Sequence, residues 1–136
     1  MKLVVEYIEL IANCKMEELK SYAELQNYFN NEAFVLKTQQ QISKDFAKFN
    51  LFFTDSFETN PFSKEEIEAQ IANPLVEIMK QGETRLLQLL YTIDVAEKDF
   101  LHLTTQQNFV QELAHKVLYR EAYKVYLRMK FSSYTD

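Results

Sequence analysis

Apolar residues recur at intervals of three and four along most of the chain, the spacing that lines one face of an α-helix. Residues 2–12 are apolar apart from Glu6 and Glu9 and fit a short helix, although LVVEYIEL alone also fits a strand. Over 16–29, Met16, Leu19, Ala23, Leu25 and Phe29 fall near one face, and Glu17, Glu18, Lys20 and Glu24 lie elsewhere. A third helix is expected over 31–53, where Ile42, Phe46, Phe49 and Phe53 follow a 4-3-4 rhythm. The stretch TDSFETNPF (54–62) gathers Asp, Ser, Asn and Pro and reads as a loop.

Ser63-Lys-Glu-Glu66 has the form of a capping box, opening a short helix to about residue 72. Asn73-Pro74 then restarts the chain, with Asn as N-cap and Pro in the first helical position, where its missing N–H costs nothing. The helix from 74 to about 92 has the most regular pattern. Leu75, Ile78, Met79, Gly82, Leu86, Leu89, Leu90 and Ile93 share one face, and Glu77, Lys80, Gln81, Thr84 and Gln88 the other. Gly82 on that apolar face implies a close helix crossing that offsets its cost of about 1 kcal/mol relative to Ala. Asp94-Val-Ala-Glu97 and Thr104-Thr-Gln-Gln107 look like two further capping signals, for a short helix to about 103 and for the final one.

The last helix is expected from about 105 to 131, roughly 40 Å at 1.5 Å per residue. A compact domain of this size has a radius of gyration of about 14 Å, so such a helix spans the molecule or protrudes from it. Phe109, Leu113 and Val117 lie on one side, and Ala114, Leu118, Ala122, Val125 and Met129 on another. Apolar surface on two sides predicts burial between two layers. Farther along, the first side turns basic at Lys116, Arg120, Lys124 and Arg128.

Composition supports an all-α reading mainly by exclusion. The 136 residues contain one glycine and two prolines, too few for the turns of an all-β fold or for a glycine-rich phosphate loop. At 47% hydrophobic and 26% charged residues, the chain has ordinary globular usage and can bury a sizeable core. The expected architecture is therefore an all-α, single-domain bundle over 1–136, with about five to six helices and a long C-terminal helix. No internal repeat is present, and QQQ at 39–41 is too short to mark low complexity. One cysteine, Cys14, cannot form an internal disulfide and lacks a recognised nucleophile motif. Glu6 and Glu9 break the apolar core that a signal peptide needs, and no run reaches the ~18 apolar residues of a membrane span. A cytoplasmic protein with no membrane association is the expectation.

The net charge of −5 argues against generic nucleic-acid binding. It hides an asymmetry, since Asp55–Glu112 holds eleven acids against four bases, and Lys116–Lys130 holds five bases against one acid. Lys116, Arg120, Lys124 and Arg128, flanked by Tyr119, Tyr123 and Tyr126, are the candidate binding residues. Such a surface suits phosphates, an acidic partner or a second subunit. The plainer reading is that these cations complement the helix macrodipole and face the acidic middle of their own chain. Glu112-Leu-Ala-His115 matches a Glu-x-x-His motif once, without the second copy that a diiron bundle requires. His102 and His115 have no Cys or carboxylate partner at a recognised spacing. No catalytic residues, metal ligands or cofactor are assigned.

The run Leu86-Leu87-Gln88-Leu89-Leu90-Tyr91-Thr92-Ile93-Asp94-Val95-Ala96-Glu97, followed by the basic helix from Leu113 to Lys124, resembles small uncharacterised bacterial helical proteins. These share a leucine-rich helix, a Tyr-x-Ile-Asp-Val-x-Glu turn and a basic final helix. The resemblance covers residues 63–131 and implies an all-α fold and a bacterial source, with no activity attached. The functional expectation is a non-enzymatic helical protein–protein interaction protein that self-associates, as a dimer, through aromatic and apolar helix surface. The alternative is a binder of nucleic acid or an acidic partner through the basic C-terminal helix.

Overall fold

The computed structural model describes residues 23–131. The expectations for 2–12, for the first turns of 16–29 and for Cys14 lie outside the described residues. Residues 23–28 are helical, and six helices follow: α1 (Glu32–Ala47), α2 (Asp55–Thr59), α3 (Lys64–Lys80), α4 (Glu83–Ile93), α5 (Glu97–Leu103) and α6 (Phe109–Phe131). There is no strand among the described residues. The fold is all-α, with the long C-terminal helix the sequence predicts.

Helix α6 is the centre of the arrangement. It packs chiefly against α3 and α1, with α4 and α5 closing on it from further sides. Leu113, Ala114, Val117, Leu118, Ala122 and Val125 are all buried along it, so both of its apolar sides are covered as far as Val125, and Met129 beyond it is exposed. The main core joins Leu113, Ala114, Val117 and Leu118 to Ile42 and Phe46 of α1, to α3 and to α4. A second cluster sits at the far end, where Leu25 and Phe34 meet Tyr119, Ala122, Val125 and Tyr126. At 23 residues α6 is about 35 Å long, shorter than expected because it starts at Phe109. Thr104 and Thr105 turn their hydroxyls back to the carbonyls of Leu101 (2.6 Å) and His102 (2.7 Å), closing α5 instead of opening α6.

The boundaries between 63 and 97 also differ from the sequence reading. Ser63 Oγ accepts from the Glu66 amide at 3.2 Å and caps α3 as expected. The helix does not restart at Asn73-Pro74, however, and runs through Pro74 to Lys80. An interior proline costs about 3 kcal/mol. Ile67, Ile71, Leu75 and Ile78 form one continuous stripe across it and are fully buried. Burial worth about 1.5–3 kcal/mol per side chain outweighs the defect.

The break comes instead at Gly82, which is exposed at φ 117°, ψ 161° as the N-cap of α4. This region is open only to glycine. No heavy atom approaches a Cβ built there within 4 Å, so the expected close helix crossing is absent. Asp94 does not cap α5. It adopts the left-handed conformation (φ 73°, ψ 40°) that ends α4, whereas an N-cap needs extended backbone, and Ala96 occupies that position.

The third helix ends at Ala47, six residues before Phe53. Asn50 takes a left-handed φ of 60°, and the chain turns so that Phe53 stacks on Phe57 at 4.2 Å between ring centroids. The expected loop at 54–62 contains α2, whose Phe57 is fully buried. Gln39 of α1, itself fully buried, holds this segment. Its amide donates to the carbonyls of Phe57 and Asn60, both at 2.7 Å, and its Oε1 accepts from the Phe62 amide at 2.8 Å.

Two stability measurements check this account. Gly82→Ala should destabilise by about 1–3 kcal/mol in urea denaturation, since Ala is strained at this φ and ψ. A mid-helix glycine would give the opposite sign. Gln39→Leu should destabilise by about 1–3 kcal/mol for each buried backbone group left without a partner. A midpoint equal to wild type would mean that the α2 segment does not depend on this side chain.

Candidate functional site

The four cations singled out in the sequence do not form one open stripe. A four-residue step advances about 40° around a helix, so Lys116 and Arg128 differ by about 120°. This drift carries the later cations under the same side as Leu113 and Val117, toward α1. Lys116 Nζ lies 3.6 Å from Asp99 Oδ2, and Arg120 pairs with Asp94. Lys124 Nζ donates to Asp45 Oδ2 at 2.9 Å and to the Thr92 carbonyl at 2.8 Å. Arg128 donates to Gln41 Oε1. Asp94 and Asp99 belong to the acidic middle of the chain, and Asp45 precedes it.

The flanking tyrosines are also engaged. Tyr119 is buried against Phe29 and accepts from Gln26 Nε2 at 2.7 Å. Tyr126 is buried against Tyr28 and donates to Glu24. Tyr123 lies under the Arg120 guanidinium at 5.4 Å. None of the three presents an open face on which bases could stack. His115 Nδ1 sits 2.6 Å from Glu68 Oε1, and its ring packs on Tyr119, while Glu112 meets Asn108. The Glu-x-x-His pair is thus divided between two different neighbours.

The chemically unusual group is one the sequence did not single out. Glu121 is fully buried on α6, beside Asp45 of α1, which is almost fully buried. Lys124 Nζ lies 3.1 Å from Glu121 Oε1, yet neither Glu121 oxygen has a hydrogen-bond donor aligned on it among the described residues. Burial, then the neighbouring Asp45 carboxylate, push the Glu121 carboxyl up to about 9. Protonated, it can donate to the neighbouring Asp45 carboxylate. Burial also raises Asp45, but hydrogen bonds with Glu121, Lys124 and Gln41 outweigh it and hold Asp45 below the ordinary aspartate value. Burial would lower Lys124, but Glu121 and Asp45 raise it. At neutral pH the cluster is therefore one neutral acid, one carboxylate and one ammonium.

Gln41 connects this cluster to the surface, since it neighbours Asp45, whose carboxyl it helps hold low, and its Oε1 accepts from Arg128. Above it the seam between α1 and α6 opens into a groove of about 480 Å³ lined by Lys37, Gln40, Gln41, Lys44, Val125, Arg128 and Met129. No family model, curated protein or solved structure matches the chain. Function must be read from this geometry and from the remaining surface. No helix among the described residues is long and apolar enough to cross a membrane.

Two further concavities flank Tyr91 on α4. One, of about 520 Å³, is lined by Phe49, Thr84, Leu87, Gln88, Tyr91 and Thr92. The other, of about 370 Å³, runs from Leu87 and Leu90 to Val95 and Glu97. Tyr91 stands between them and is 86% exposed.

The Glu121 carboxyl makes stability depend on pH in a defined direction. Its unfolded value is 4.5 and its folded value about 9, so the folded chain holds the proton more tightly. Its contribution is complete below 4.5, is lost as pH rises through this window, and levels off above about 9. The loss is at most about 1.4 kcal/mol per pH unit. Glu121→Gln mimics the neutral acid and should match wild type near pH 4, then gain on it progressively toward alkaline pH in urea midpoints. Parallel curves for the two proteins would show that Glu121 is ionised in the native state.

Proposed function

We propose that this chain is a non-enzymatic helical interaction protein that self-associates through the face of α4 around Tyr91. The observation that carries this reading is the shape of that face. An exposed tyrosine ridge stands beside grooves lined by Phe49 and Leu87 on one side and by Leu87, Leu90 and Val95 on the other. A two-fold contact uses the same patch on both subunits, so a ridge beside a groove is self-complementary, each Tyr91 filling the other copy's groove. Tyrosine is suited to this role, since it brings a large apolar ring with a hydroxyl for the polar rim.

This surface differs from the aromatic final helix on which the sequence expectation rested, because α6 buries its apolar sides inside the molecule as far as Tyr126. The alternative, an acidic partner or nucleic acid on the cations of α6, is weakened for Lys116, Arg120 and Lys124, each of which meets an acid of its own chain. It keeps support only at Arg128, which faces the α1–α6 groove.

Sedimentation of the wild-type chain over a wide concentration range should show a reversible monomer–dimer equilibrium. Tyr91→Glu should shift it to monomer, and its thermal midpoint should equal that of the wild type at concentrations where the wild type is itself monomeric, since the side chain is exposed in the single chain. A concentration-independent wild-type monomer, or a variant that still dimerises, would overturn the proposal.

A further inference from the structure

The α1–α6 groove differs from the rest of the basic surface. Lys37, Gln40, Gln41 and Lys44 stand at i, i+3, i+4 and i+7 on α1, hence on one helix face. Arg128 reaches in from α6, and Val125 and Met129 supply apolar wall. Among the described residues, Lys37, Lys44 and Arg128 have no carboxylate within ion-pair distance, in contrast to Lys116, Arg120 and Lys124. Three cations converging on one concavity repel one another and leave positive charge uncompensated.

The groove also has internal support. The Arg128 guanidinium is held by Gln41, which is mostly buried one turn from Asp45 on α1. Gln40 is fixed by donating to the Glu58 carbonyl at 3.0 Å. An arginine held in place beside two flexible lysines suits a compact polyanion, because guanidinium offers a planar fork to phosphate oxygens and ammonium a movable point charge. The volume of about 480 Å³ falls within the range of small-molecule sites.

We propose that this groove binds the phosphate monoester of a small organic molecule. Lys37, Lys44 and Arg128 take the phosphate, and Val125 and Met129 contact the organic part. A dianion compensates more of the three charges than a single carboxylate does. The cations surround one confined concavity instead of tracking along a backbone, and Tyr119 and Tyr126 are buried, so a nucleic-acid strand fits less well. The inference is independent of self-association, which uses α4.

The test is calorimetric titration of the full chain with phenyl phosphate, inorganic phosphate and a short single-stranded DNA, at low and moderate salt. Saturable one-to-one binding of phenyl phosphate is expected, tighter than inorganic phosphate, with the Met129 methyl resonance shifting on addition. The double substitution Lys37→Gln, Lys44→Gln should weaken it by about tenfold or more. Both side chains are exposed, so the variant should unfold at the wild-type temperature. Lys80→Gln, on α3 and outside the groove, should bind as wild type does. The proposal is overturned if phenyl phosphate gives no saturable binding, if the double variant binds as wild type does, or if only the DNA binds.

Discussion

A helix covered on several sides must bury whatever polar groups its sequence carries, and in α6 these include Glu121 and Lys124. Lys124 is the most constrained of these groups. Its ammonium ties together α1 through Asp45, α4 through the Thr92 carbonyl and α6 itself through Glu121. Removing charges from water is expensive unless each finds a partner. The cluster meets that condition by keeping one of its two acids protonated, and α1, α4 and α6 must then sit where the remaining bonds can form. Apolar burial alone would tolerate some sliding of these helices. The paired groups admit one register.

The consequences reach the surface. Gln41 stands one turn from Asp45 on α1 and presents its oxygen to Arg128. The groove above the seam thus adjoins the buried cluster, and the direction of Arg128 follows from the position of Gln41 on α1. The surface around α4 is organised differently. There, Gly82 and Asp94 interrupt the chain at both ends of α4 with backbone conformations of positive φ. The result is a short helix whose inner residues Leu86, Leu89, Leu90 and Ile93 are buried and whose Tyr91 points outward. The two candidate surfaces thus have distinct origins, one electrostatic and one a matter of helix termination.

Three adjacent glutamines show how differently identical residues can act. Gln39 satisfies three backbone groups of the α2 segment, Gln40 binds the Glu58 carbonyl, and Gln41 accepts from Arg128. On a helix, consecutive positions differ by about 100° and meet different neighbours. In sequence QQQ is an unremarkable polar run, because nothing local says which of its members is buried.

Periodicity was enough to establish the all-α class, the long final helix and the two apolar sides that are covered as far as Val125. Those properties follow from side-chain spacing along a regular helix, which is local information. The Ser63 cap was legible for the same reason. The ends of other elements were not. Pro74 sits inside a helix because a stripe of isoleucine and leucine on both sides of it is buried. Asp94 ends a helix instead of starting one because its backbone is left-handed and its carboxylate is drawn to Arg120. The fate of the basic run was decided by tertiary packing as well. Lys116, Arg120 and Lys124 meet acids 17, 26 and 79 positions away, and only Arg128 joins Lys37 and Lys44. The buried Glu121 carboxyl is the clearest case, since a glutamate beside an alanine on a helix carries no local mark of burial. Its protonation depends on Asp45, a neighbour that only the packing of α1 on α6 supplies.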